Sequence, residues 1–130
     1  MIQVYSENLA VAANDTLALN NITLRTGSTV SLNGNVLTLN APGLYHVEFN
    51  GYGVSTEAGT IGVKLQSNGN DVKQAKSSAT TGAGAPQAIS VSTLIPVQKC
   101  PCMGGKSLSL VYTGTAGTMN FVNVIVTKLR

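Results

Sequence analysis

The chain has one histidine, His46, with a carboxylate, Glu48, two residues on. In an extended segment that spacing puts both side chains on one strand face, about 7 Å apart along the strand. A hydrolytic site needs a nucleophile, a base and an orienting group within hydrogen-bond reach. No serine or cysteine stands beside this pair in sequence, so it reads as a polar pair on an exposed face. Cys100-Pro101-Cys102 offers two soft ligands, half of a zinc site, but a second pair of His or Cys ligands is missing from the chain. A bridge between the two cysteines would close too small a ring to stabilise much, so free thiols in a turn near Pro96 and Pro101 are expected. Three copies meeting on a threefold axis are the one route by which this pair, or His46, becomes a metal site. Glu7, Asp15, Glu57 and Asp71 are isolated and lack calcium-loop spacing. Asp71, after Asn68-Gly69-Asn70, reads as turn chemistry.

Two glycine-bearing stretches, Gly82-Ala83-Gly84 and Gly104-Gly105-Lys106-Ser107, lack both the spacing and the strand-to-helix setting of a phosphate-cradling loop. With no tryptophan and six aromatic residues in all, an aromatic platform for sugars is thinly supplied. The residues therefore predict no enzyme, no catalytic or cofactor-binding residues, no cofactor and no metal. The net charge of +3 comes from eight basic and five acidic residues scattered singly, which disfavours nucleic acid as a partner. No stretch approaches eighteen apolar residues and Met1-Ile2-Gln3-Val4-Tyr5 does not lead into a secretory signal, so no membrane partner is expected. Only 10% of residues are charged, against about 25% in an average globular protein. A surface wetted mainly by hydroxyls and amides is common where much of it is buried against copies of itself.

The elements that must position these residues are strands. No helix-period stretch of ten residues occurs, whereas apolar and polar residues alternate from end to end. Asn33-Gly34 suits a two-residue type I′ turn, which sets Val30 opposite Leu37 and gathers Val30, Leu32, Leu37 and Leu39 on one core face. Leu17 and Leu19 alternate in one phase and Ile22 and Leu24 in the other, and a bulge at Asn20-Asn21 would restore a common face. After Ala41-Pro42-Gly43 a longer strand runs from Leu44 to Val54, with Tyr45, Val47 and Phe49 on one side and His46, Glu48 and Asn50 on the other. Ile61 to Leu65 returns through Val72 by way of Asn68-Gly69. A strict two-residue turn there would oppose Lys64 to Lys73, so a looser turn is expected. Ser77 to Pro86 has nothing large to bury and reads as a mobile surface loop. Strands at Ala88 to Leu94, Ser107 to Tyr112 and Met119 to Leu129 complete the chain. In the last, Phe121, Val122, Val124, Ile125 and Val126 point both ways and need cover on both faces, one from the opposing sheet and one from a partner chain. Some eight to ten short strands without a repeat predict an all-β sandwich or jelly-roll, one domain over residues 1–130.

Gly43-Leu44-Tyr45-His46-Val47-Glu48-Phe49 resembles the G-x-Y-x-F-x-F/Y signature of the complement globular-head and tumour-necrosis-factor-like superfamily, with Val47 where an aromatic is usual. Val63 to Gly69 is similar to that family's strand ending in an N-G turn, Leu108 to Tyr112 to its penultimate strand, and Phe121 to Leu129 to its final one. The resemblance spans roughly Leu32 onward. It implies a ten-strand jelly-roll, a tight homotrimer and no catalysis. It turns Tyr45, Val47 and Phe49 into the core and sets Leu44, His46, Glu48 and Asn50 at or near the subunit interface, and the final strand adds Val122, Val124 and Val126 to that interface. Unlike secreted members, the chain shows no collagen-like stalk, no signal peptide and no inter-sheet disulfide. A bacteriophage or prophage virion component, a capsid decoration or fibre-tip protein assembled in the bacterial host cytoplasm, is thereby expected, with capsid or other virion protein as further partner. The alternative is a receptor- or glycan-binding module of a fibre, or of a bacterial cell or spore surface.

Overall fold

The structure is a computed structural model and describes residues 1–27, 29–98 and 106–130. The Cys100-Pro101-Cys102 motif and Gly104-Gly105 lie outside the described residues. Ten strands follow one another in the described chain: β1 (Ile2–Val11), β2 (Asn21–Arg25), β3 (Val30–Asn33), β4 (Val36–Leu39), β5 (Gly43–Ser55), β6 (Gly59–Ser67), β7 (Asn70–Thr81), β8 (Gln87–Val97), β9 (Lys106–Tyr112) and β10 (Gly117–Lys128). They form two five-stranded antiparallel sheets, a front sheet ordered β2-β1-β10-β5-β8 and a back sheet ordered β3-β4-β9-β6-β7. Many neighbours in space are distant in sequence, which makes this a jelly-roll rather than a meander.

One hydrophobic cluster joins the inner faces of the two sheets. Alternation along β5 sends Tyr45, Val47 and Phe49 into it, each 2% exposed or less. The Tyr45 hydroxyl donates to the Ala41 carbonyl at 2.7 Å and accepts from the Ala41 N–H, so this buried phenol is satisfied. Val30, Leu37 and Leu39 are buried, and Leu32 packs partly buried against them. Tyr112, donating to the Thr115 carbonyl, is fully buried, and that burial pushes its phenol pKa up.

Several local expectations change. The β3–β4 turn sits at Gly34-Asn35, not Asn33-Gly34: Asn33 pairs with Val36, Leu32 with Leu37 and Val30 with Leu39. Gly34 has φ +64° and Asn35 does not have positive φ, the pattern of a type II′ turn with glycine first. Moving the turn by one residue shifts the pairing by two and so keeps the four apolar residues on one side, which is why the pattern alone does not separate the two registers. Gly34→Val forces a β-branched residue to positive φ and is expected to destabilise by about 1 kcal/mol or more, checked by urea unfolding.

Leu17 and Leu19 do not share a face with Ile22 and Leu24. The first two are buried outside any strand, whereas Ile22 and Leu24 are exposed on β2, an edge strand that pairs only with β1. Ser77 to Thr81 is not loop but the end of β7, because ladder bonds to β6 need no large side chain. Thr81 is buried and its hydroxyl donates to the Ala85 carbonyl, which closes the short turn that remains. Asn68-Gly69 does form a two-residue turn, both residues at positive φ and Ser67 paired with Asn70. Beyond it the register shifts between Lys64 and Gln66, where extra residues of β7 carry Lys73 past Lys64 and leave Lys76 opposite instead.

Candidate functional site

β10 runs down the middle of the front sheet, between β1 and β5. Its apolar residues divide between two faces. Val122, Val124 and Val126 were expected at a subunit interface, but they are 1% exposed or less inside the single chain, in its core cluster. Phe121, Asn123, Ile125 and Thr127 alternate with them and form the outer face. The switch is made at Asn120, where a bulge shifts the β10–β5 register between Met119 and Phe121. Met119 is consequently fully buried while Phe121, two residues on, points outward. Asn120 Oδ1 is buried at this bulge without a hydrogen-bond partner among the described residues.

Pairing fixes what surrounds each of these residues. Phe121 lies between Glu7 of β1 and Tyr52 of β5, Asn123 between Tyr5 and Asn50, Ile125 between Gln3 and Glu48, and Thr127 is opposite His46. Beyond β5, β8 sets Ala88, Ser90, Ser92 and Leu94 opposite Tyr52, Asn50, Glu48 and His46. Three aromatic rings stack across the strands: Tyr5 to Phe121 at 6.4 Å between centroids and Phe121 to Tyr52 at 6.1 Å. Such pairs add roughly 0.5–1.5 kcal/mol beyond area burial. Next to them a depression of about 340 Å³ is lined by Asn50, Tyr52, Ser90 and Phe121, among others.

The polar residues on this face are already partnered. Gln3 Nε2 donates to Asn123 Oδ1 at 3.1 Å, and Asn50 Nδ2 donates to Glu48 Oε1 at 3.1 Å. His46 Nε2 lies 2.8 Å from Ser92 Oγ. Within the chain His46 thus pairs with Ser92, and Glu48 with Asn50. Sequence reading missed Ser92, because only the β5–β8 pairing brings it from 46 residues away. A serine at hydrogen-bond distance from an imidazole is the first half of a nucleophile and base arrangement. The other half does not assemble around it. No group holds Nδ1 of His46 among the described hydrogen bonds, the nearby carboxylate is engaged by Asn50, and the depression on this face excludes both His46 and Ser92. Among the described residues no three His, Cys, Asp or Glu side chains gather as a metal site.

Leu44 and Leu94 extend the outer face at its other end, with Leu94 48% exposed and Pro96 opposite Leu44. Large exposed hydrophobic residues among the described residues number six: Met1, Ile22, Leu24, Tyr52, Leu94 and Leu129. All six belong to the front sheet or to the chain ends that adjoin it, Leu129 through its N–H bond to the Leu44 carbonyl and Met1 through its carbonyl to Thr26. The back sheet contributes none.

No family model matches the chain, and no curated protein matches it. Solved structures do. The globular domain of zebrafish complement 1qA is similar with a TM-score of 0.76 at 9% identity, over 99% of this chain and 96% of that one. Eiger TNF from S. frugiperda gives 0.73 at 12% identity, over 99% and 92%. PRD1 vertex protein P5 gives 0.61 at 14% identity, over 99% and 96%. At these identities the likeness establishes the fold, a jelly-roll β-sandwich of the tumour-necrosis-factor and complement globular-domain type.

Proposed function

We propose that the chain is a non-enzymatic assembly protein, a single jelly-roll domain over residues 1–130 that forms a homotrimer through the outer face of its front sheet. In this reading it serves as a structural component of a phage virion, as a capsid decoration or fibre-tip protein, assembled in the bacterial host cytoplasm. The observation that carries it is the Tyr5, Phe121 and Tyr52 stack on the middle strands of that face, which also bears the exposed Leu24 and Leu94. Contiguous exposed apolar surface marks interaction sites, and interface cores are enriched in aromatic residues. The trimer is what the family resemblance implies. The virion assignment draws support from the likeness to a vertex protein.

Leu44, His46, Glu48 and Asn50 lie on the same outer face, so the trimer draws on their row as well. About a threefold axis, His46 of one subunit would face Glu48 of the next. Glu48→Arg replaces that carboxylate by a cation beside His46 and is expected to weaken assembly about tenfold or more, read by size-exclusion chromatography with light scattering. An unchanged trimer would place this row in solvent. For the biological role, the purified protein is mixed with phage capsids lacking it and, separately, with host cell walls, and co-sedimentation is measured. Saturable binding to capsids supports the virion component. Binding to cell walls alone would replace it with the receptor- or glycan-binding module.

A further inference from the structure

β6 and β7 form one side of the back sheet, on the surface turned away from the core. Ile61, Val63 and Leu65 point into the core, so Gly62 and Lys64 between them face out. The register sets Lys76 opposite Lys64 and Ser78 opposite Gly62. Thr113, which follows β9, donates its N–H to the Gly62 carbonyl at 2.9 Å, and its hydroxyl lies over the glycine, 2.5 Å from where a Cβ would stand. Thr113 thus covers Gly62, and beside it a basin of about 360 Å³ is lined by Lys64, Lys76, Ser77, Ser78 and Thr113.

Two like charges directly opposite each other destabilise a strand pair. Asp71 offsets one of them: Lys64 Nζ lies 3.2 Å from Asp71 Oδ1, and Gln66 Nε2 donates to the same carboxylate at 2.9 Å. The Gln66 and Lys64 hydrogen bonds hold the Asp71 carboxyl below its usual value, which favours its ionised form beside Lys64. Lys76 makes no ion pair among the described residues. The basin therefore presents Lys76, which makes no ion pair of its own although its charge also acts on Asp71, a second ammonium paired with that carboxylate, and two hydroxyls.

We propose that this basin binds a phosphate or sulfate ester group carried on a sugar. Lys76 and Lys64 would take the oxyanion, and the Ser78 and Thr113 hydroxyls would take sugar oxygens. The basin is open to solvent, which leaves room for the carrier of the group beside the oxyanion. Nucleic acid fits this site poorly, because single-strand binding needs aromatic platforms. All six aromatic residues are elsewhere: Tyr45, Phe49 and Tyr112 in the core, and Tyr5, Tyr52 and Phe121 on the front sheet. The basin lies on the opposite sheet from the assembly face, so the inference holds whether or not the trimer does.

The test is an amide-shift titration of the full isotope-labelled chain at low salt. The probes are inorganic phosphate, inorganic sulfate, a sulfated oligosaccharide, a phosphorylated oligosaccharide, and the neutral oligosaccharide. Saturable shifts confined to Gly62, Lys64, Lys76, Ser78 and Thr113 are expected with one of the two ester-bearing sugars. That ligand should bind about tenfold tighter than the inorganic ions, the neutral sugar should leave the shifts unmoved, and the better ester identifies the source of the group. Lys76→Gln, an exposed and conservative change, should weaken binding about fivefold or more. Absence of saturable shifts at millimolar ligand, equal binding by Lys76→Gln, or shifts spread evenly over all lysines and arginines would each overturn the site.

Discussion

Phe121→Asp is expected to convert the proposed trimer to folded monomers. Phe121 is the middle ring of the three-membered stack on the outer face, and its neighbour across β1 is Glu7. Aspartate would remove both stacking contacts and set a second carboxylate against Glu7 at the centre of the proposed interface. Central aromatic anchors are worth about 2 kcal/mol or more each. Three symmetry-related copies then weaken assembly by about four orders of magnitude in the dissociation constant. Because Phe121 points out of the sandwich, the far-ultraviolet circular dichroism of the variant should stay that of a β protein. Light scattering checks the mass, and a variant that remains trimeric at micromolar concentration would move the interface off this face.

Phe49→Ala is expected to cost about 3–5 kcal/mol of stability. Phe49 is fully buried on β5, flanked in the sheet by Val124 of β10 and Val91 of β8. Its ring tip reaches beneath Gly51, where a Cβ would stand only 3.0 Å away, so the core there is filled by the phenylalanine and the glycine together. Alanine leaves a cavity that the rigid strands close only in part. A domain holds about 5–15 kcal/mol in total, so the loss is a large share of it. Guanidinium unfolding followed by circular dichroism measures it, at fixed protein concentration because assembly contributes to apparent stability. A cost below about 1 kcal/mol would mean that Phe49 is not a core residue.

Strand content and the orientation of β5 were legible in the sequence because period-two alternation and the Gly43-Leu44-Tyr45 signature agree on which side is apolar. Turn residues also announced themselves, although a hairpin of Val30, Leu32, Leu37 and Leu39 stays consistent when its pairing shifts by two residues. What alternation could not decide was the face of β10. That strand is apolar on both sides, and one added residue at Asn120 reverses the parity between Met119 and Phe121. The interface expectation consequently includes Val122, Val124 and Val126, which are core, while Phe121 and Ile125 hold the outer face. Pairings distant in sequence were equally out of reach. His46 meets Ser92 and Lys64 faces Lys76 through strand order and a bulge, which local spacing does not encode. Ser77 to Thr81 was read as loop because its side chains are small, while backbone hydrogen bonds made it strand.

The central claim is that the front sheet's outer face is covered by copies of the chain. Sedimentation equilibrium of the purified full chain, across about 1–100 μM and at neutral pH, tests it most directly. Three chains of 13.4 kDa should give a single species of about 40 kDa with no concentration dependence over that range. A mass near 13.4 kDa at the highest concentration would contradict it, leaving the Tyr5, Phe121 and Tyr52 face to some other partner.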